Sequence, residues 1–258
     1  MSLVHQVLGK PGRDNALLVR VESGQRVSRL LFDCGDGCLS ELSFAEIQAI
    51  DHLFFSHLHM DHVGGFDSFF RCTFNRQAKA NRIWGPKGTS TILQHRLQGY
   101  WWNLVEGQNA TWHINDVSNG KIDRFRYELP ESFAVSHCDG AITTTDIILD
   151  EEDFTVRAIF LNHHGLCLGY LVQEKPKFNI QTDRLANLGL RPGAWVKHLK
   201  DGTMTGEVDI NGKSFSMETL RAELLVESTG DSLAYLTDFL LDDSTFKQHL
   251  FGMERDAC

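Results

Sequence analysis

The sequence predicts a mixed α/β fold in a single domain spanning residues 1–258. Three observations carry that reading. Apolar runs of strand length alternate with stretches of helical periodicity. At 258 residues and 42% hydrophobic composition, the chain can bury one sizeable core. Turns rich in Gly, Pro, Asp and Asn separate the runs, with no internal repeat, linker or low-complexity tract.

Taken in order, residues 3–8 and 16–21 read as strands around the turn 9–15. Arg29-Leu30-Leu31-Phe32 is an apolar strand that runs into Asp33-Cys34-Gly35-Asp36-Gly37. Turns favour Asp beside Gly, so a turn role for Asp33 stands beside any role at a site. Residues 40–50 read as a helix with Ser or Glu near its start. Leu53-Phe54-Phe55 is a buried strand, and Phe66, Phe69 and Phe70 form the core stripe of a following helix. Residues 83–89 give a strand, a tight turn and a helix start, with the helix expected to run to 105. Its Tyr100-Trp101-Trp102 is expected at core and rim rather than as a base-stacking platform. Gly85-Pro86-Lys87-Gly88 could cradle phosphate but lacks the full phosphate-loop pattern. Further strands are expected at 111–114, 133–135, 144–149, 154–160 and 168–172, then a helical excursion over 183–199. A last strand over 231–239 ends in Asp238.

One stretch carries chemistry. Ser56-His57-Leu58-His59-Met60-Asp61-His62 places four ligand-type side chains within six positions, directly after a buried strand. In an extended segment alternate side chains face one way, so His57, His59 and Asp61 can converge. His62 follows just before Gly64-Gly65, where the backbone can turn closely. Imidazole and carboxylate suit zinc and similar divalent ions, and two ions could share the cluster. His163 or His164, at the end of a strand and before Gly165, can add a further nitrogen. Asp238 can bridge two ions or cap a helix. His113 and His137 stand alone and read as structural.

Composition excludes several classes. The net charge is −9 and no run of Lys or Arg occurs, so no large sequence-independent nucleic-acid surface is advertised. The start has neither a charged nor an apolar signal region, and no apolar stretch reaches membrane-spanning length. The expectation is a soluble, cytoplasmic protein without a membrane partner. The six cysteines lack paired short spacings and are expected as buried free thiols.

The His-x-His-x-Asp-His pattern after a strand resembles the signature of the metallo-β-lactamase superfamily of binuclear metal hydrolases. That resemblance implies an αββα sandwich. Leu31 to Gly37, the metal loop, Trp84-Gly85-Pro86-Lys87-Gly88 and Gly169-Tyr170-Leu171 are similar to one branch, ribonuclease Z, which trims precursor transfer RNA at its 3′ side. Leu188 to Gly193 and Leu199 to Gly202 look like that family's helical insertion. The family places a histidine six residues before a Gly-Tyr pair, which selects His163 over His164. The resemblance implies His57, His59 and His163 on one ion, Asp61 and His62 on a second, and Asp238 as bridge. Asp33 would hold a ligand histidine in orientation from behind. Two zinc ions, with manganese or iron as alternatives, would share a hydroxide, and Asp61 would orient or deprotonate it. The expected function is thus a metal-dependent phosphodiesterase, a ribonuclease Z-like endonuclease. The rivals are a same-fold hydrolase of a small phosphodiester, lactone or thioester, and a non-enzymatic binding or regulatory member. Homodimers are an expectation of the family; substrate-binding residues are unassigned.

Three departures stand out. Thr237-Asp238-Phe239 replaces the family's usual Gly-Asp-Thr, and no long Gly/Pro-rich arm follows Tyr170. The family's last ligand histidine, and the Glu and His beyond it, have no counterpart among 239–258 unless His249 substitutes. The expectation is therefore a chain shortened at its C-terminus, lacking the last strand and helices of the second half-sandwich.

Overall fold

The computed structural model describes residues 2–24, 26–202 and 205–240. The segment 244–250 with His249, and Cys258, lie outside the described residues. The chain divides into two compact units, one of residues 1–173 with 231–258, the other of 174–230.

The first unit begins with a sheet of eight strands in sequential order. They are β1 (Ser2–Leu8), β2 (Ala16–Glu22), β3 (Val27–Phe32), β4 (His52–Phe54), β5 (Asn81–Pro86), β6 (Thr111–Ser118), β7 (Lys121–Glu128) and β8 (His137–Thr143). The pairs from β3 to β6 are parallel and those at either end antiparallel. Parallel neighbours need crossovers. These carry α1 (Phe44–Gln48), α2 (Met60–Val63), α3 (Phe66–Thr73) and α4 (Thr89–Leu97).

Side-chain alternation along the central strands decides the layers. Leu31, Leu53, Phe55, Ile83 and Ile114 turn to one face and pack with Ile47 of α1, Phe66, Phe69 and Phe70 of α3, and Leu93 and Leu97 of α4. Leu30, Phe32, Phe54 and Trp84 turn to the other. There they meet a second sheet formed by β9 (Ile147–Asp150), β10 (Phe154–Asn162), β11 (Leu166–Glu174) and one further strand (Ser232–Tyr235). Ile148, Phe154, Val156, Leu168, Tyr170 and Val172 supply its half of the core.

The second unit has its own small core of Leu185, Leu190, Leu199, Met217, Leu220 and Leu224. It contains β12 (Lys177–Ile180), α5 (Thr182–Asn187), α6 (Trp195–Asp201), β13 (Glu207–Ile210), β14 (Lys213–Ser216), α7 (Met217–Leu224) and β15 (Leu225–Ser228). The Ser232–Tyr235 strand of the first unit is then β16.

Several elements differ from the sequence expectation. The helix expected over 40–50 is a 3-10 turn at Cys38–Glu41 followed by α1. Ser43, not Ser40, caps α1, because its hydroxyl and the Glu46 carboxylate satisfy each other's backbone N–H. Helix α4 stops at Leu97, so Tyr100-Trp101-Trp102 lies in coil and Trp101 is 86% exposed. Residues 133–135 are not a strand; Phe133 sits at φ +57° directly after a 3-10 turn. Cys34, Cys38 and Cys167 are buried free thiols as expected, whereas Cys138 is exposed.

One buried group predicts an acid response. His52 on β4 accepts from Trp84 Nε1–H at 3.1 Å, and burial lowers its pKa from 6.5 to about 3. The unfolded chain takes up this proton near 6.5 while the fold resists it. The stability it contributes is full above that pH and falls as pH drops toward about 3, by up to about 1.4 kcal/mol per pH unit. His52→Gln keeps an acceptor for Trp84 without a proton to gain. Its urea midpoint is expected to fall less than that of the unmodified protein between pH of about 7 and about 4. Parallel declines in the two proteins would contradict this.

Candidate metal centre

The C-terminal ends of β3 and β4 lie side by side, and the site grows from the loops that leave them. Asp33 donates its N–H to the Phe54 carbonyl at 2.7 Å, and Cys34 donates to the His62 carbonyl at 2.8 Å. Gly65 donates back to the Cys34 carbonyl at 2.8 Å. Backbones meet here so closely that a Cβ on Gly65 would stand 2.1 Å from the Gly35 oxygen. Gly65→Ala must therefore push the two loops apart, and a loss of about 1–3 kcal/mol is expected in the urea midpoint. An unchanged midpoint would show that the loops give way freely.

The extended geometry expected of the metal loop holds through His59, after which α2 begins at Met60. His57, His59 and His163 bring one ligand atom each within 4.8 Å of one another. His57, His62 and Asp238 do the same, so His57 belongs to both clusters. His163 comes from the tip of the β10–β11 connection and Asp238 from beyond β16. His164, at φ +53°, joins neither group. Asp61 lies on α2, 57% exposed and 3.5 Å from His62 Nε2, at the rim of the second cluster and in neither triad. A cleft of about 310 Å³ lies against His163 and Asp238, closed further by Asn162, Phe239 and Leu240.

Behind the histidines sits Asp33, fully buried at φ +57°. Asp tolerates this left-handed backbone better than most residues, and such positions persist where their surroundings fix them. Its Oδ1 accepts the Ser56 backbone N–H at 2.7 Å. Its Oδ2 takes the Ser56 hydroxyl at 2.7 Å, His62 Nδ1 at 2.7 Å and the Tyr235 hydroxyl at 2.8 Å. His62 Nε2 faces Asp238 at 2.9 Å. Burial opposes charge on His62, but the hydrogen bond and charge of Asp33, backed by Asp238 and Asp61, lift its pKa to about 9. His57 behaves oppositely. Burial first, and then the neighbouring imidazole of His62, lower its pKa to about 4.

The decisive atom is His57 Nε2, which is buried without a hydrogen-bond partner. An orphaned buried nitrogen costs about 1–3 kcal/mol, and here it belongs to the residue shared by two ligand-type triads. A divalent ion satisfies such an atom directly, so the residues present fit a metal.

Residues 13–154, more than half of the chain, match the family model described as anti-Pycsar protein Apyc1. The chain is 49% identical over 238 residues to ribonuclease Z of Deinococcus radiodurans, covering 92% of this chain and 71% of that protein. It belongs to the ribonuclease Z family. Ribonuclease Z of Haloarcula marismortui is 28% identical over 240 residues, covering 85% of this chain and 65% of that one. Among solved structures, human tRNase Z, short form, is similar at 21% identity, with TM-score 0.40, over 67% of this chain and 65% of that one. The described residues supply one helical layer and two packed sheets, three of the four layers of the sandwich expected from the sequence, and membership of this family makes the chain a hydrolase.

In this ribonuclease Z family chain the Gly-Pro-Lys-Gly turn is not an open phosphate cradle. Asp116 fills the start of α4, accepting from the N–H groups of Gly88 at 2.9 Å and Ser90 at 2.8 Å and from the Ser90 hydroxyl at 2.9 Å. The isolated histidines have local partners: His137 meets Glu131 at 2.6 Å and His113 lies 4.0 Å from Asp139. Two residues at the site carried no signal of their own. Ser56 adjoins the first ligand, but its bond to Asp33 spans 23 residues; Tyr235, three before Asp238, reaches Asp33 across 202. No helix among the described residues is long and apolar enough to cross a membrane.

Proposed function

We propose that this site hydrolyses phosphodiester bonds in RNA with divalent metal ions, acting as a ribonuclease Z-type endonuclease on the 3′ side of precursor transfer RNA. The observation that carries it is the orphaned Nε2 of His57 between two ligand triads, in a chain 49% identical to a ribonuclease Z. His57, His59 and His163 would hold one ion; His62 and Asp238, with His57 beside them and Asp61 at the rim, would hold a second, zinc being the expected metal. Bound there, such ions lend Lewis acidity to water and to a phosphoryl oxygen. The chain's own groups do the rest. Asp61, exposed and close to His62, is placed to orient attacking water and accept its proton. Asp33 keeps His62 turned so that Nε2 faces the cluster. The cleft beside His163 and Asp238 is where a scissile phosphate would enter.

A second reading has one observation in its favour. The net charge of −9 suits a small phosphodiester better than a large polyanion. Precursor transfer RNA and a generic nitrophenyl phosphodiester, each assayed with zinc and with a chelator, separate the two. Chelator-sensitive cleavage at the 3′ side of the RNA is the expected outcome. Turnover of only the small ester would favour the second reading, and no turnover of either would sink both.

A further inference from the structure

We infer that Ser56 is a positioning residue, a relay through which one buried carboxylate, Asp33, sets the ring orientation of ligands in both metal clusters. The inference rests on the metal-centre reading above.

The hydrogen-bond count forces the assignment. A serine hydroxyl has one proton to give, and a carboxylate only accepts. The Ser56 hydroxyl lies 2.7 Å from Asp33 Oδ2, so its proton points there. It also lies 3.0 Å from His57 Nδ1, and with its own proton committed it can only accept from that nitrogen. His57 must then carry its proton on Nδ1, which leaves a bare lone pair on Nε2. That is the atom found buried and without a partner. Asp33 Oδ2 meanwhile faces Nδ1 of His62 directly, so the second ring also turns Nε2 outward, toward Asp238. One oxygen thus governs His57 through Ser56 and His62 by direct contact. The two ring centroids lie only 4.0 Å apart, so a single anchor can set both. Partners that orient ligand imidazoles in this way typically change metal affinity by about 10–100-fold when removed.

Ser56→Ala is a clean probe, because the Ser56 backbone N–H that holds Asp33 Oδ1 remains. Tyr235→Phe is its control: it also removes a donor from Asp33 Oδ2 but leaves the Ser56–His57 contact intact. Two measurements decide the matter: nitrogen-15 shifts of the His57 ring in the metal-free protein, and zinc affinity by competition with a chromophoric chelator. The unmodified protein is expected to show His57 neutral with its proton on Nδ1. Ser56→Ala is expected to lose that single tautomer and bind zinc about 10–100-fold more weakly. Tyr235→Phe should keep the tautomer. A proton on Nε2 in the unmodified protein, or a Ser56→Ala variant with unchanged tautomer and affinity, overturns the relay. Failure of the unmodified protein to take up zinc, with the tautomer as described, overturns instead the metal reading on which the ligand-positioning role depends.

Discussion

Asp33→Ala is expected to destabilise the metal-free protein by about 3–5 kcal/mol, the range for breaking a buried charged network from one side. Four hydrogen bonds end on this carboxylate, and all four donors lose their acceptor at once. No water reaches a fully buried position to replace it. Alanine also has to hold φ +57°, which favours glycine. Asp33→Gly separates the two contributions, since it loses the same carboxylate as alanine but is spared the backbone strain of about 1 kcal/mol or more. Urea unfolding of both variants should therefore place glycine slightly above alanine and both far below the unmodified protein. A loss under about 1 kcal/mol in either would mean that the network is not what holds the β3 and β4 loops together.

His57→Ala should do the opposite. This residue belongs to both triads, so its removal is expected to weaken zinc binding by more than the roughly 100-fold ceiling for outer partners. Activity should be lost with the metal. The metal-free variant, however, sheds a buried nitrogen that has no partner, and relief of that group offsets the small cavity left behind. Its thermal midpoint without metal is expected at or near that of the unmodified protein. A site present for structure alone would show the reverse pattern, a clear loss of stability with metal uptake unchanged.

The difference between these two variants reflects what was legible in the sequence. The metal loop announced itself because its four ligand-type residues are adjacent, and local spacing is what a sequence displays. The sheet faces were equally readable, since Leu30 to Phe32 and Leu53 to Phe55 alternate between two cores. Choosing His163 over His164 needed a family resemblance, because only the turn geometry at the end of β10 separates them. Strand β7 was hidden because its charged residues, among them Asp123, Arg124 and Arg126, interrupt the apolar pattern. The end of α4 was hidden too, for Trp102 bonds back to the Leu97 carbonyl only once the chain has left the helix. Ser56, Asp116 and Tyr235 act on partners 23 to 202 residues away, and nothing local marks such pairings. The alternation expected to bring Asp61 in with His57 and His59 failed for a local reason, the start of α2 at Met60.

The most direct test is metal content. The purified protein, dialysed against zinc and then against metal-free buffer, should retain at least one divalent ion per chain by elemental analysis, and the His57→Ala variant should retain none. A folded, unmodified protein that retains no ion and gains none on titration would contradict the account at its centre.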